Sequence, residues 1–189
     1  MARAGLTVER LTEAAAELAD DVGFDAVTLS ALARRFGVKD ASLYSHVRNL
    51  AELRERVAAR SLTELADQVA EALAGRAGKD ALVGFADAYR DYARAHPGRY
   101  AATQLDLDPA SPAADAARRH ADLTRALLRG YDLPEPARTD AVRLLGATFH
   151  GYASLEAAGL FAHHPRPSAD SWPAIVTALD AALRAWPTP

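Results

Sequence analysis

Apolar residues recur at intervals of three and four along almost the whole of this 189-residue chain. That spacing places them on one face of an α-helix, whereas a half-buried strand requires strict alternation. The β-branched residues are dispersed, and no segment has the pattern of a strand. The sequence therefore predicts an all-α protein built from amphipathic helices.

Start and stop signals near the N-terminus predict one long helix followed by two short ones. Thr7 can cap a first helix, which Gly23 ends, and Thr28 can cap a second helix, which Gly37 ends. A third short helix is expected to begin near Lys39. Three closely spaced helices of this kind are typical of a helix-turn-helix module and do not favour a catalytic core.

Longer helices follow in the rest of the chain. Asn49 can cap a long helix over residues 50–73, and the segment 96–111, which contains Pro97 and Gly98, is expected to be a short irregular helix. Further helices, each bounded by proline or glycine, are predicted over residues 80–95, 112–128, 136–160 and 169–185.

The turn between the second and third helices has the residues that a helix-turn-helix needs. Ala33 is small where two crossed helices nearly touch, and Gly37 can adopt the positive φ of a sharp turn. Val38 and Leu43 are expected to hold the third helix against the second. The short polar surface that this helix presents outward is expected to reach base edges in the major groove. Its members are Lys39, Asp40, Ala41, Ser42, Tyr44 and Ser45.

Charge is concentrated locally at the same place. The whole chain carries 22 basic and 25 acidic residues, a formal net charge of −3. Between Arg34 and Arg48, four lysines or arginines accompany one aspartate, so the local charge is +3. Tyr44 and His46 can also donate hydrogen bonds to phosphate oxygens from this strip. The local charge predicts a DNA-binding surface on an otherwise acidic chain.

The segment TLSALARRFGVKDASLYSHVRN, residues 28–49, resembles the DNA-binding signature of the TetR family. The likeness extends over about residues 7–57 and implies a dimeric transcriptional regulator. Thr28 and Tyr44 would contact the DNA backbone, and Leu50 stands where the family often has a phosphate-contacting lysine. The DNA-contact residues predicted from charge and resemblance together are Thr28, Arg35, Lys39, Ala41, Ser42, Tyr44, Ser45, His46 and Arg48.

The segment 149–161 resembles a TetR subgroup with a His-Gly helix near the dimer interface. The resemblance implies a DNA-binding domain over residues 1–48 and a helical ligand-binding and dimerisation domain over residues 49–189. The last two long helices would form a four-helix bundle with those of a second copy, and two recognition elements imply a near-palindromic operator. Pocket residues are expected among Tyr89, Tyr92, His96, Tyr100, Gln104, Phe149, His150 and Tyr152.

These features predict a repressor that a small molecule releases from double-stranded DNA; a regulator or activator without an inducer is the alternative. For Tyr89 and Tyr92 core packing competes with ligand contact, and His150 can equally be an interface histidine. An enzyme is not expected, because Asp87, Asp91 and His96 do not share one helix face and no nucleophile lies nearby.

Neither a metal nor another cofactor is predicted. The chain has no cysteine, and His163 and His164 lack an accompanying carboxylate cluster. The N-terminus has no signal-peptide core, and no segment approaches the roughly 18 apolar residues that a membrane span needs. We therefore expect a cytoplasmic homodimer that contacts DNA and a small molecule but no membrane.

Overall fold

The computed structural model describes residues 5–187, which contain eight α-helices, three short 3₁₀ helices and no strand. The prediction of an all-α protein is confirmed. The 3₁₀ helices are Phe24–Ala26, Asp40–Ser45 and Arg129–Tyr131. The α-helices are α1 (Val8–Val22), α2 (Leu29–Phe36), α3 (Leu50–Leu73), α4 (Gly78–Ala95), α5 (Pro97–Ala102), α6 (Pro112–Leu128), α7 (Ala137–Ala157) and α8 (Ser168–Arg184).

Side-chain caps begin the N-terminal helices where the sequence predicts them. The Thr7 hydroxyl accepts a hydrogen bond from the Arg10 amide at 3.3 Å, and Asn49 Oδ1 accepts one from the Glu52 amide at 2.9 Å. Each cap satisfies an amide that has no partner inside its helix. Further along the chain, α7 ends three residues before its predicted end, and Gly159 follows with a φ of +71°.

One compact unit, unit 1, comprises the described residues up to Glu64 together with His96–Ala117. Its core is mostly aliphatic and rich in alanine, and α5 packs closely on α1 within it. At their contact, a Cβ atom added to Gly98 would lie 1.8 Å from the Ala19 carbonyl oxygen. Only glycine can occupy this position without moving the backbone.

A second compact unit, unit 2, comprises Leu65–Ala95 and the described residues from Arg118 onward. Its core contains a cluster of buried aromatic rings, among them Phe85, Tyr89, Phe149 and Trp172. Helix α4 contacts both α7 and α8 in this unit. Each ring packs against others at tilted or stacked angles, as buried aromatic pairs prefer.

The two units divide the chain elsewhere than at the predicted domain boundary after residue 48. Val57 and Ala58 of α3 and Ala102 of α5 lie in the same buried cluster as the helix-turn-helix. The reason is packing: a three-helix module of 48 residues buries little apolar surface alone, and these helices complete its core.

Candidate nucleic-acid interface and aromatic cluster

Helix α2 is fixed at its start by a side-chain cap and along its length by apolar contacts. The Thr28 hydroxyl oxygen accepts a hydrogen bond from the Ala31 amide at 3.2 Å. Leu29, Leu32 and Ala33 are buried on the face toward the core of unit 1. The cap leaves the Thr28 hydroxyl proton available to another acceptor, such as a phosphate oxygen.

The turn after α2 has the geometry that the sequence predicts. Gly37 has a φ of +65° in the left-handed region, and its amide donates to the Arg34 carbonyl at 3.2 Å. The Val38 amide donates to the Ala33 carbonyl at 3.0 Å, so carbonyl groups in the last turn of α2 have hydrogen-bond partners. A residue other than glycine would be strained at position 37 because of its φ.

The 3₁₀ helix Asp40–Ser45, which we call the recognition helix, is anchored by a small number of apolar side chains. Leu43 is completely buried, and Val47 is buried just beyond the helix. Val38 is 37% exposed, so Leu43 and Val47 provide more of the buried apolar surface than Val38 does.

The outward face of the recognition helix is exposed throughout, as the sequence predicts. Lys39, Ala41 and Ser42 are exposed, and Tyr44 is 57% exposed. The Ser30 hydroxyl of α2 donates a hydrogen bond to Asp40 Oδ2, which ties this face to α2. The face therefore presents a positioned set of short polar side chains that can approach base edges.

The basic strip is less positive than a count along the sequence suggests. Arg35 forms ion pairs with Glu17 and Asp21 of α1. Arg34 and Lys39 have no ion-pair partner among the residues that the structure describes. A window over residues 34–48 misses the α1 carboxylates, because they come close only in the folded chain.

Arg48 is held at the start of α3 by Glu52. The Arg48 amide donates to Glu52 Oε2 at 2.8 Å, and the Arg48 side chain donates to the same oxygen at 3.1 Å. Hydrogen bonds from the Arg48 amide and from the Arg56 and Arg48 side chains lower the pKa of Glu52 to about 2. The Arg48 side chain is 84% exposed, so it can still face a phosphate.

Leu50 packs partly buried against the apolar core of unit 1. This is the position at which the resemblance to the TetR family implies a lysine. In this chain the position contributes apolar packing to the start of α3 and no charge.

The residues predicted to line a ligand pocket fall into two groups. His96, Tyr100 and Gln104 belong to unit 1, where His96 Nδ1 lies 3.2 Å from Asp20 Oδ2, Tyr100 is buried and Gln104 is exposed. The remaining five belong to unit 2 and are Tyr89, Tyr92, Phe149, His150 and Tyr152. A role of either group in ligand binding stays a prediction.

In unit 2, Tyr89, Phe149 and Tyr152 take part in a continuous aromatic cluster. The Tyr89 and Phe149 ring centroids are 5.9 Å apart, and those of Tyr152 and Trp172 are 4.7 Å apart. The Tyr152 hydroxyl donates to the Ser168 carbonyl, and burial is the largest cause of its raised pKa. The cluster thus combines apolar ring faces with a few polar atoms.

His120 of α6 also belongs to this cluster, although no motif in the sequence marks it. Its ring centroid lies 5.8 Å from that of Phe85 and 6.0 Å from that of Tyr89. Nδ1 is buried without a hydrogen-bond partner in the described structure, and burial lowers the pKa of the ring. A buried polar atom without a partner is uncommon and is well suited to a ligand group.

A buried ion pair beside the cluster also escapes sequence inspection. Arg90 of α4 donates to both carboxylate oxygens of Glu156 in α7, at 2.8 and 2.6 Å. The Ser168 hydroxyl donates to the same carboxylate at 2.6 Å. The Arg90 guanidinium also lies over the Trp172 ring, 5.5 Å from its centroid. The pair joins α4, α7 and α8 through charge-assisted hydrogen bonds.

The residues considered for catalysis have other partners. The Trp172 indole N–H donates to Asp87 Oδ1 at 2.8 Å in unit 2, while His96 contacts Asp20 in unit 1. Among the described residues, no group of three or more histidines, aspartates and glutamates could hold a metal ion. None of the described helices is both long enough and apolar enough to cross a membrane.

Two protein families match the chain. Residues 11–57 match the family described as "Bacterial regulatory proteins, tetR family", and residues 82–179 match the family described as "Tetracyclin repressor-like, C-terminal domain". The first match contains α2, the turn and the recognition helix. The second contains most of α4, all of α6 and α7 and part of α8, with the aromatic cluster.

Known proteins resemble this chain over most of its length. The uncharacterized HTH-type transcriptional regulator YobS of Bacillus subtilis is 34% identical over 159 residues, 84% of this chain and 83% of YobS. The uncharacterized regulator Rv0681 of Mycobacterium tuberculosis is 37% identical over 159 residues, 83% of this chain and 73% of that protein.

Solved structures share the fold. A protein of unknown function from Rhodococcus sp. RHA1 has a TM-score of 0.80 at 24% identity and covers 96% of this chain and 97% of its own. The TetR family protein ActR of Streptomyces coelicolor, in complex with (S)-DNPA, has a TM-score of 0.71 at 24% identity and covers 98% and 99%. The chain belongs to the TetR family of bacterial transcriptional regulators and is a DNA-binding regulator rather than an enzyme.

Proposed function

We propose that this regulator is a homodimeric repressor that binds a near-palindromic operator and is released from it by a small molecule. The observation that carries the DNA-binding part is the exposed polar face of the recognition helix, held by Leu43 and Val47 and tied to α2 through Ser30. A DNA-binding regulator works where the chromosome is, so the proposal includes a cytoplasmic location.

The proposed DNA contacts divide by chemistry into two sets. Thr28, Arg35, Tyr44, His46 and Arg48 carry donors that suit phosphate oxygens, which fix position and supply affinity. Lys39, Ala41, Ser42 and Ser45 are short or flexible and suit base edges in the major groove.

The proposed dimer face is formed by α7 and α8. On α7, Gly146 and Ala147 are exposed and Gly151 is half-buried, and a Cβ atom added to either glycine would meet nothing within 4 Å. On α8 the exposed positions with helical spacing are Ala174, Ala178, Ala181 and Ala182. Small side chains on both helices allow the close approach of a second copy, as in a four-helix bundle.

The dimer accounts for the form of the operator. Two recognition helices related by a two-fold axis enter successive major grooves when they are about 34–36 Å apart. A ligand can favour a state of the dimer in which the recognition helices have a different spacing. It then weakens operator binding, and the effect is limited by how much more tightly the ligand binds that state than the DNA-binding state.

The proposed inducer site is the aromatic cluster of unit 2. Its ring faces suit an apolar or aromatic ligand, and His120 Nδ1 offers a buried atom to which a polar group of that ligand can bind. ActR, which shares the fold, has been solved in complex with (S)-DNPA and with actinorhodin, and this supports regulation by a ligand.

One experiment tests these parts together. Duplexes are selected from a random pool by the purified full chain, with and without an extract of small metabolites, and light scattering measures its mass. We expect a near-palindromic sequence, its loss with the extract, and a mass of about 40 kDa, twice the 20.1 kDa chain. A monomer or a motif without symmetry would contradict the dimeric repressor, and an unchanged selection in the extract would favour a regulator without an inducer.

A further inference from the structure

We infer that Asp40, the first residue of the recognition helix, selects cytosine at one position of each operator half-site. The inference rests on the proposed contact of this helix with the major groove, in which residues at the start of a recognition helix face base edges. The proposed base contacts Lys39, Ala41, Ser42 and Ser45 are basic or neutral. Asp40 is the one acidic residue of the helix and adds a different chemistry to that surface.

The Asp40 carboxylate lies on the surface that is proposed to face DNA. Asp40 is exposed, as are its neighbours Lys39 and Ala41. It forms no ion pair within the part of the chain that the structure describes. Phosphate groups repel a carboxylate, so Asp40 weakens binding to all DNA sequences alike unless a base edge compensates for it. A carboxylate at this position is therefore expected to contribute selectivity rather than affinity.

Ser30 of α2 holds the Asp40 carboxylate in place. The Ser30 hydroxyl donates a hydrogen bond to Asp40 Oδ2, and no described residue donates to Oδ1. Helix α2 is itself fixed by the Thr28 cap and by buried residues such as Leu32. A side chain that is already held loses little freedom when it binds, and Oδ1 can accept a further hydrogen bond.

The base edges of the major groove differ in what they offer to a carboxylate. A carboxylate only accepts hydrogen bonds, and only cytosine and adenine present an amino donor in this groove. The adenine amino group lies between two acceptors, its own N7 and the thymine O4. The cytosine amino group has one such neighbour, the guanine O6. Repulsion of the carboxylate is therefore smallest at cytosine, and guanine and thymine are disfavoured because they present acceptors.

Selection from a random duplex pool by the full chain tests which base Asp40 contacts. We expect the native chain to favour cytosine over guanine and thymine by about tenfold at one position of each half-site. Asp40→Ala should reduce this preference to less than about twofold and retain the rest of the motif. Asp40→Asn should shift the preference towards adenine, because an amide can bond both N6 and N7 of that base.

Two further variants separate base contact from helix placement and from charge. Ser30→Ala removes the bond between α2 and the recognition helix but keeps the carboxylate, so cytosine should remain preferred, with the ratio reduced by about threefold. Asp106→Asn removes a negative charge from an exposed residue of unit 1 outside the helix-turn-helix and should select the native motif. Circular dichroism checks that each variant is folded.

A modified base tests the contacting atom. Pyrimidin-2-one opposite guanine lacks the amino group of cytosine and is placed at the selected position of one half-site. In a fluorescence anisotropy titration, this base should weaken binding of the native chain by about tenfold and of Asp40→Ala by less than about twofold.

Several results would overturn the inference. These are equal weakening of both chains by the modified base, an unchanged preference in Asp40→Ala, a base other than cytosine at the position that Asp40→Ala alters, and an equal loss of preference in Ser30→Ala. In each of these cases the native chain still selects a motif, so the proposed operator binding stands. If the native chain selects no motif, the proposed operator binding fails, and the inference fails with it.

Discussion

The two units of this regulator have cores of different chemistry. The core of unit 1 consists mainly of aliphatic side chains, many of them alanine. Helices α5 and α1 approach each other closely at Gly98 and Ala19. Unit 2 packs aromatic rings beside buried polar groups, including the Arg90–Glu156 pair and His120. The first kind of core fixes backbones in one arrangement, whereas the second contains polar atoms that a ligand can engage. The difference fits the proposed division between DNA binding by unit 1 and ligand binding by unit 2.

The largest expected effect tests the tight packing of unit 1. Gly98→Ala places a Cβ atom against the Ala19 carbonyl and should destabilise the chain by about 3 kcal/mol or more. Urea unfolding followed by circular dichroism measures the loss. Ala101→Ser, an exposed change on the same helix, should alter the free energy of unfolding by less than about 0.5 kcal/mol. If Gly98→Ala behaves like this control, the close approach of α5 to α1 is not rigid.

The next effect tests the buried ion pair of unit 2. Glu156→Gln leaves the Arg90 charge buried with a weaker partner and should cost about 2 kcal/mol at pH 7. Hydrogen bonding from Arg90 is the largest cause that lowers the pKa of Glu156 from its ordinary 4.5. The pair's stabilisation is therefore complete above that ordinary pKa and is lost as pH falls through the lowered value.

The same variant therefore has a distinct pH profile. Unfolding of the native chain and of Glu156→Gln, measured from pH 7 to pH 3, should give free energies that converge as the pH falls. Glu71→Gln, at an exposed position, provides the control for loss of one negative charge. If the free energies of unfolding of the native chain and of Glu156→Gln differ by the same amount from pH 7 to pH 3, the charge of the Glu156 carboxylate does not contribute to stability.

A smaller effect tests the DNA-facing side of unit 1. Tyr44→Ala should weaken binding to operator and random duplexes alike by about 1 kcal/mol, because the hydroxyl is proposed to contact phosphate. Stability should stay the same, since the Tyr44 side chain is 57% exposed. Tyr44→Phe, in a fluorescence anisotropy titration, isolates the hydroxyl: full affinity in this variant would exclude that phosphate contact.

The smallest expected effect is a change in the preferred DNA sequence, with little change in total affinity for DNA. Ser42→Ala should alter the preferred base at one position of each half-site by less than about 1 kcal/mol, and Lys39→Ala should alter its own position. Selection from a random duplex pool measures both. Thr63→Ala, exposed on α3 outside the helix-turn-helix, should select the native motif. An unchanged motif for Ser42→Ala and Lys39→Ala would count against base contacts by the recognition helix.

Features that depend on near neighbours in the chain can be predicted from the sequence. The Thr28 cap reaches three residues ahead, and the Gly37 turn depends on the φ of one residue. Contacts between distant partners cannot be predicted in this way: Arg90 and Glu156 are 66 residues apart, and Trp172 and Asp87 are 85 residues apart. No local pattern marks such pairs, because the packing of α4 against α7 and α8 creates them.

The predicted DNA-contact and pocket residues show the same division. The outward residues of the recognition helix follow from helix periodicity and are exposed as expected. The prediction of the eight pocket residues depends on residue type alone, and three of them belong to unit 1 while five belong to unit 2. Residue type alone does not tell which side chains share a core, and ligand binding by His96, Tyr100 and Gln104 stays a prediction.

The hydrogen bond from Ser30 to Asp40 matters for anyone who wishes to redirect this protein to a new operator. A library that varies Asp40 alone also removes a contact between α2 and the recognition helix, so altered base preference and altered helix placement become confounded. Varying positions 30 and 40 jointly keeps combinations in which a donor and an acceptor remain matched. Positions 30 and 40, on two different helices, are therefore best varied together when the recognition helix is redesigned.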